Sequence, residues 1–212
     1  MKTPFATFLL TTFCVLSLGA ADKPKTISLF DGKTFKGWEG ETNKIWRIEN
    51  GAFVGGTLTA KVPNNEFICT QRQFTNFVLR LKFKLVGKEG FVNGGVQFRS
   101  QRVPNHYEVS GYHADIGDPE WWGCLYDESR RNKVLVKSDM TEVNKVLKRD
   151  DWNDYVIRCE GKRIRLSING TQTVDYTEED DKIPNFGIIG FQVHGGGVTE
   201  ASYKDITIEE LP

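Results

Sequence analysis

The sequence predicts an all-β fold, a sandwich or barrel of antiparallel strands, and three observations carry that prediction. Phe77-Val78-Leu79-Arg80-Leu81-Lys82-Phe83-Lys84-Leu85 places a large apolar residue at every odd position and basic residues at three of the four even ones. Period-two patterning of that kind turns one strand face to a core and the other to water. Asn169-Gly170 and Asn50-Gly51 each separate two alternating runs, and such a pair supplies the positive φ values that a two-residue hairpin turn needs. No window of about 12 residues repeats apolar residues at a period of 3.6, as a long amphipathic helix would.

The elements follow in order. Strands are expected at 27–30, at 46–48 and 52–54 around Asn50-Gly51, at 77–85, 94–100, 106–110 and 133–136, at 155–159, at 163–168 and 171–176 around Asn169-Gly170, and at 187–193 and 201–209. Thr177 to Lys182 is acidic and reads as a solvated loop. Many short strands with turn signals between them make a sandwich or barrel.

Ahead of these strands, Lys2, the apolar stretch Phe5 to Leu18 and the small residues Gly19-Ala20-Ala21 have the layout of a cleaved secretory signal. Residues 1–20 are therefore expected to be removed on export to the periplasm or medium, and 21–212 to form a single domain. The apolar stretch falls short of the roughly 20 residues a spanning helix needs. Of the four cysteines, Cys69, Cys124 and Cys159 follow the signal. No two are spaced as C-x-x-C, so neither a disulfide framework nor a structural zinc site is indicated, and Cys159 shares the apolar parity of its strand.

Twenty-eight basic residues balance 28 acidic ones, for a formal charge of +0. No overall field would gather nucleic acid or anionic lipid. A neutral partner fits better.

Four segments carry functional side chains on the strand face opposite the apolar one. Gln97 and Arg99 alternate with Val96 and Phe98, and Gln192 and His194 alternate with Phe191 and Val193. Amides, a guanidinium and an imidazole offer the directional donors and acceptors that sugar hydroxyls require. Between Tyr107 and Gly117 lie Glu108, His113 and Asp115, and a bulge at Gly111 would bring all three to one face. Trp121-Trp122 offers flat apolar surfaces for a pyranose ring, and Tyr126, Glu128 and Arg130 share a parity beyond it. A merely solvated face accounts for Arg80, Lys82 and Lys84; it does not call for the mixture of Trp, Tyr, His and Gly in residues 97–132.

Leu29-Phe30-Asp31-Gly32-Lys33 with Gly37-Trp38, Trp46-Arg47 with Asn50-Gly51, Gly95-Val96-Gln97-Phe98-Arg99-Ser100, Tyr107-Glu108-Val109, Tyr126-Asp127-Glu128, Asp151-Trp152-Asn153 with Asn169-Gly170, and Gly190-Phe191-Gln192-Val193-His194-Gly195-Gly196 together resemble the 3-keto-disaccharide hydrolase domain family. The ordered set runs from about Ile27 to Leu211. The resemblance implies a jelly-roll β-sandwich of two antiparallel sheets, of the concanavalin A-like lectin/glucanase type, acting on glycosides oxidised at C3. His113 stands where relatives carry Gln.

A ketone at C3 acidifies the C2 proton, so the group at C1 can leave by elimination through an enolate before water adds. That route needs a base, a donor over the enolate oxygen and an acid for the leaving group. The expected assignment draws base and acid from Glu108, Asp115 and Glu128, gives the enolate oxygen to Arg99 or Arg130, and leaves Gln97, His113, Trp121, Tyr126, Gln192 and His194 to hold the sugar. Displacement by two carboxylates is the alternative chemistry. The cofactor is unknown from sequence: His113 or His194 with Glu108 and Asp115 could ligate a divalent metal. A carbohydrate-binding module without turnover is the alternative function, since this fold class serves both.

Overall fold

The computed structural model describes residues 25–212; the expected signal segment lies outside the described residues. The strands are β1 Thr26–Ser28, β2 Trp38–Glu39, β3 Trp46–Glu49, β4 Ala52–Gly56, β5 Glu66–Phe74, β6 Phe77–Glu89, β7 Asn93–Arg102, β8 Val109–Gly117, β9 Leu125–Glu128, β10 Lys133–Val136, β11 Asn153–Glu160, β12 Arg163–Ile168, β13 Thr171–Thr177, β14 Gly187–Val193 and β15 Val198–Glu210. They pair antiparallel in two sheets. One runs β13-β12-β11-β6-β15-β4-β3 with β1 beside β15, the other β10-β9-β8-β7-β14-β5-β2. The expected two-sheet sandwich is therefore present, with lectin/glucanase jelly-roll architecture.

The core lies between the sheets and follows the alternation. Phe77, Leu79, Leu81, Phe83 and Leu85 of β6 are buried, and Arg80 between them is exposed. Ile157, Cys159, Leu166 and Tyr203 join them from the same sheet; Val96, Phe98, Tyr112, Ala114 and Phe191 meet them from the seven-stranded sheet. Phe191 and Tyr203 stack across the interface with ring centroids 4.6 Å apart. All three described cysteines are free and buried, and burial pushes the Cys159 thiol up to about 12.

The differences from expectation have local causes. The strand placed at 106–110 begins only at Val109, because residues 103–108 form the β7–β8 hairpin loop, closed by Val103 N–H to Glu108 O at 3.0 Å. β5 has no counterpart among the expected strands: its polar stretch Thr70 to Gln73 breaks alternation where two extra residues enter its register with β14, between Ile188 and Gly190. One short helix, α1 Met140–Val146, starts at Asp139, whose carboxylate accepts Thr141 N–H at 2.8 Å. Seven residues are too few to leave a 3.6-period signature. Among the described residues no helix is long and apolar enough to cross a membrane.

Candidate active site

The site lies on the face of the seven-stranded sheet turned away from the core. Adjacent strands put His113 opposite Gln97, Asp115 opposite Gly95, Gln192 opposite Gly95 on the other side, and Tyr126 opposite His113. Because side chains alternate along each strand, the residues flanking these positions supply the core. Parity thus delivers Asn93 and Gln97 from β7, His113 and Asp115 from β8, Tyr126 and Glu128 from β9, and Gln192 with His194 from β14 and its end.

Of these, Asn93, Asp115, Tyr126, Glu128 and His194 line one hollow of about 200 Å³. Asp115, Glu128 and His194 contribute its ionisable groups and Asn93 and Tyr126 further polar ones, while Trp121 and Phe91 close it with aromatic faces. The Phe91 ring meets His194 edge to face at 4.6 Å and Trp121 at 6.3 Å, and Trp121 meets Tyr126 at 6.1 Å. The second tryptophan of the pair, Trp122, goes to the core and stacks on Phe83.

Burial drives the site's electrostatics. Asp115 is 5% exposed; its single partner is the Asn93 amide at 3.4 Å, and Oδ2 has none. Desolvation pushes its carboxyl up to about 7, against the opposing influence of His113. Glu128 is half-buried, yet its carboxyl is lowered, because the hydrogen bond and charge of His113 and the nearby His194 outweigh desolvation. His113 Nδ1 lies 3.5 Å from Glu128 Oε2; burial disfavours its cation, but Asp115 and Glu128 raise its pKa on balance. Burial lowers His194. Its Nδ1 lies 2.7 Å from Gly195 O, which fixes the proton on Nδ1 and leaves the Nε2 lone pair free. Near pH 7 the hollow therefore presents a carboxyl still partly protonated, an ionised carboxylate and a neutral imidazole.

Gln97, His113 and Gln192 are almost fully buried, beneath the hollow rather than in its lining. Ser100 Oγ lies 2.9 Å from Gln97 Oε1, and Gln97 Nε2 lies 3.4 Å from His113 Nδ1. The His113 ring occupies the space over Gly95, where any Cβ would sit 2.0 Å from Nε2. Glu108 stands at the edge of the group. Its Oε1 accepts the Asn65 amide at 3.0 Å, Asn65 Oδ1 accepts Gly195 N–H at 3.0 Å, and Oε2 is buried without a partner. Desolvation and the Glu128 charge raise Glu108.

Two expected site residues, Arg99 and Arg130, leave this group altogether. Arg99 does not stay on the Gln97 face, because β7 carries one extra residue between Phe98 and Gln101 opposite β8. The bulge falls at Arg99, with φ 47°, and not at Gly111 as the sequence suggested. Its guanidinium instead donates to Thr75 O at 2.8 and 2.6 Å and to Gly161 O at 2.7 Å, tying the β5–β6 and β11–β12 turns. Arg130 is likewise lost to the site, since Ser129 at φ 51° ends the β9 alternation. Arg130 donates to the buried Asp127 at 2.8 Å and lies over the Tyr112 ring.

Asn93, Phe91 and Asn65 are site residues that the sequence reasoning missed. Asn93 was legible, because extending the Gln97 parity back through Gly95 reaches it; Phe91 and Asn65 sit in loops that no periodicity places. Among the described residues no three His, Cys, Asp or Glu side chains assemble a metal-holding group. His113 and His194 are thus not grouped with Glu108 and Asp115 as the sequence suggested.

Solved structures share this architecture. A candidate glycosyl hydrolase from Parabacteroides distasonis is 19% identical, covers 88% of this chain and 94% of its own, and superposes with a TM-score of 0.65. A carbohydrate-binding module from Bacillus subtilis is 16% identical over 82% of this chain and 96% of its own, at 0.60. A β-glucanase from Bacillus licheniformis is 10% identical over 91% and 100%, at 0.57. At these identities the likeness establishes the fold alone. A comparison with curated proteins finds no match. The profile of the 3-keto-alpha-glucoside-1,2-lyase-like domain matches residues 25–209, nearly every described residue, and the chain belongs to that family.

Proposed function

We propose that the protein cleaves the glycosidic bond of 3-keto-glycosides, 3-keto-disaccharides among them, by elimination and hydration. The observation that carries this reading is the pair of carboxyls in one hollow whose environments drive them apart, Asp115 up to about 7 and Glu128 down. Divergent pKa values in neighbouring titratable groups mark acid and base roles.

In the proposed reaction Glu128 accepts the C2 proton of the ketosugar, with the neutral His194 imidazole beside it as a second acceptor. The C2–H electrons form the C1–C2 double bond, and the C1–O bond breaks towards the leaving oxygen. Asp115 donates the proton that oxygen requires. The C3 ketone is the electron sink, and the Asn93 amide and Tyr126 hydroxyl are the donors in the hollow that can meet its oxygen. Water then adds across the double bond, its hydroxyl to C1 and a proton to C2, giving the free 3-ketosugar. His113, held beneath by Gln97, keeps Glu128 ionised. Trp121 and Phe91 supply apolar faces for the ring.

The binding-module alternative needs aromatics and amides but no divergent carboxyls, so the hollow favours turnover. Incubation with 3-keto-trehalose and with trehalose, each with and without chelator, tests the reading: release of sugar from the oxidised form alone supports it, and binding without release of either assigns a lectin-like role. We further infer that residues 1–20 direct export, which amino-terminal sequencing of the mature protein checks.

A further inference from the structure

We propose that the β7–β8 loop builds a second subsite, in which Tyr107 is the platform for the departing pyranose ring of the substrate. The inference rests on the sugar reading of the hollow and extends it to the other half of the molecule. A volume of about 200 Å³ lies below the roughly 300–1,000 Å³ of sites that enclose larger ligands, so the hollow takes one ring and the second must lie outside it.

A second, open groove has a volume of about 760 Å³. It is lined by Phe67, Glu66 and Lys44 on one side and by Arg102, His106 and Tyr107 on the other. A chain of hydrogen bonds through Asn65 and Glu108 runs between the residues next to the two spaces. Asn65 binds Gly195, next to the hollow's His194, and also binds Glu108, next to the groove's Tyr107. Sheet register agrees, since Phe67 pairs with Gln192 and Glu66 with Val193, which precedes His194.

The groove has the chemistry of a sugar site. Tyr107 is 43% exposed, one of two large hydrophobic side chains so exposed among the described residues. His106 packs against it with ring centroids 4.2 Å apart and an interplanar angle of 32°, which holds the phenol ring in place. Aromatic faces meet the apolar side of a pyranose, while Lys44, Glu66 and Arg102 around them can bond its hydroxyls. In that hydrogen-bond chain Glu108 Oε2 is buried without a partner, where a hydroxyl of the bridging region could donate to it.

Steady-state kinetics of the wild type, Tyr107→Ala and Tyr107→Phe on 3-keto-trehalose and on methyl 3-keto-α-glucoside test the proposal. Tyr107→Ala is expected to raise KM for the disaccharide on the order of fivefold to tenfold, the loss of one aromatic contact, with the methyl glycoside unaffected and Tyr107→Phe near wild type. Equal effects on both substrates, or none, overturn the subsite. So does an effect confined to an aryl 3-keto-glucoside, which would assign the platform to aromatic leaving groups. If the wild type cleaves neither substrate, the proposed chemistry fails separately, and calorimetric titration with the same two ligands still decides the subsite. Tighter binding of the disaccharide that Tyr107→Ala abolishes supports it; equal or absent binding rejects it.

Discussion

His113 Nδ1 lies 3.5 Å from Glu128 Oε2, and the contact runs diagonally between neighbouring strands. The residue directly opposite Glu128 is Gly111, which has no side chain to intervene, and the residue opposite His113 is Tyr126. A buried imidazole whose pKa is raised thus lies against one carboxylate and stabilises its ionised form. Asp115, two residues along the same strand, is buried with one amide for company and holds its proton up to about pH 7. One strand therefore sets both halves of the proposed acid and base pair.

Replacing either carboxyl isosterically should remove one proton transfer and leave the fold intact. Glu128→Gln and Asp115→Asn are each expected to lower kcat at least about a hundredfold, with thermal unfolding midpoints showing that the variants fold. Wild-type rates in both would remove them from the mechanism.

The pH profile has a predicted shape. In the proposed reaction Asp115 acts in its protonated form, so kcat/KM should fall as pH rises through about 7. Glu128 acts ionised and its pKa is lowered, so the acidic limb should lie below the ordinary carboxylate range. Stability follows the same linkage: the folded Asp115 binds its proton more tightly than the unfolded one, so its contribution is full below 3.8 and is lost as pH rises towards 7. Asp115→Asn should therefore unfold at a higher temperature than wild type at about pH 8 and lose that advantage at about pH 4. A calorimetric series across pH checks the sign.

Gly95 is where the backbone yields to the site. Its φ is +157° and a Cβ there would reach within 2.0 Å of His113 Nε2 and 2.6 Å of Ala114 O. Gly95→Ala should displace the imidazole, cut kcat about tenfold or more through the loss of Glu128 support, and shift the acidic limb of the pH profile upward. A loss of stability with an unchanged acidic limb would show that His113 does not tune Glu128.

Much of this arrangement was legible because it follows from parity. The alternation in β6 and the Asn50-Gly51 and Asn169-Gly170 turns placed the core sheet, and the matched patterns around Gln97 and Gln192 anticipated that, in one sheet, those amides share a face. Parity misled where the backbone leaves it. Residues in the left-handed region at Arg99 and Ser129 reset the alternation, and nothing in a single sequence marks a non-glycine residue as taking that conformation. Loop-borne Phe91 and Asn65 lie beyond periodicity altogether, and β5 was hidden because its polar register shift resembles a turn.

Arg99 consequently belongs to the account of stability. Its guanidinium serves two main-chain carbonyls and the Asn76 side chain from a nearly buried position, and hydrogen bonds to charged groups contribute roughly 1.5–3 kcal/mol each. Arg99→Ala should cost about 2–4 kcal/mol in urea unfolding while the folded fraction keeps its KM for sugar. A raised KM at unchanged stability would return Arg99 to the site.

The most direct test of the elimination is the fate of the C2 hydrogen. When 3-keto-trehalose is cleaved in deuterium oxide, the released 3-ketoglucose should carry one solvent deuterium at C2, formed faster than any exchange in protein-free controls and abolished together with turnover in Glu128→Gln. Release of sugar that retains its original C2 hydrogen would mean displacement at C1, and would contradict the roles of Glu128 as base and Asp115 as acid.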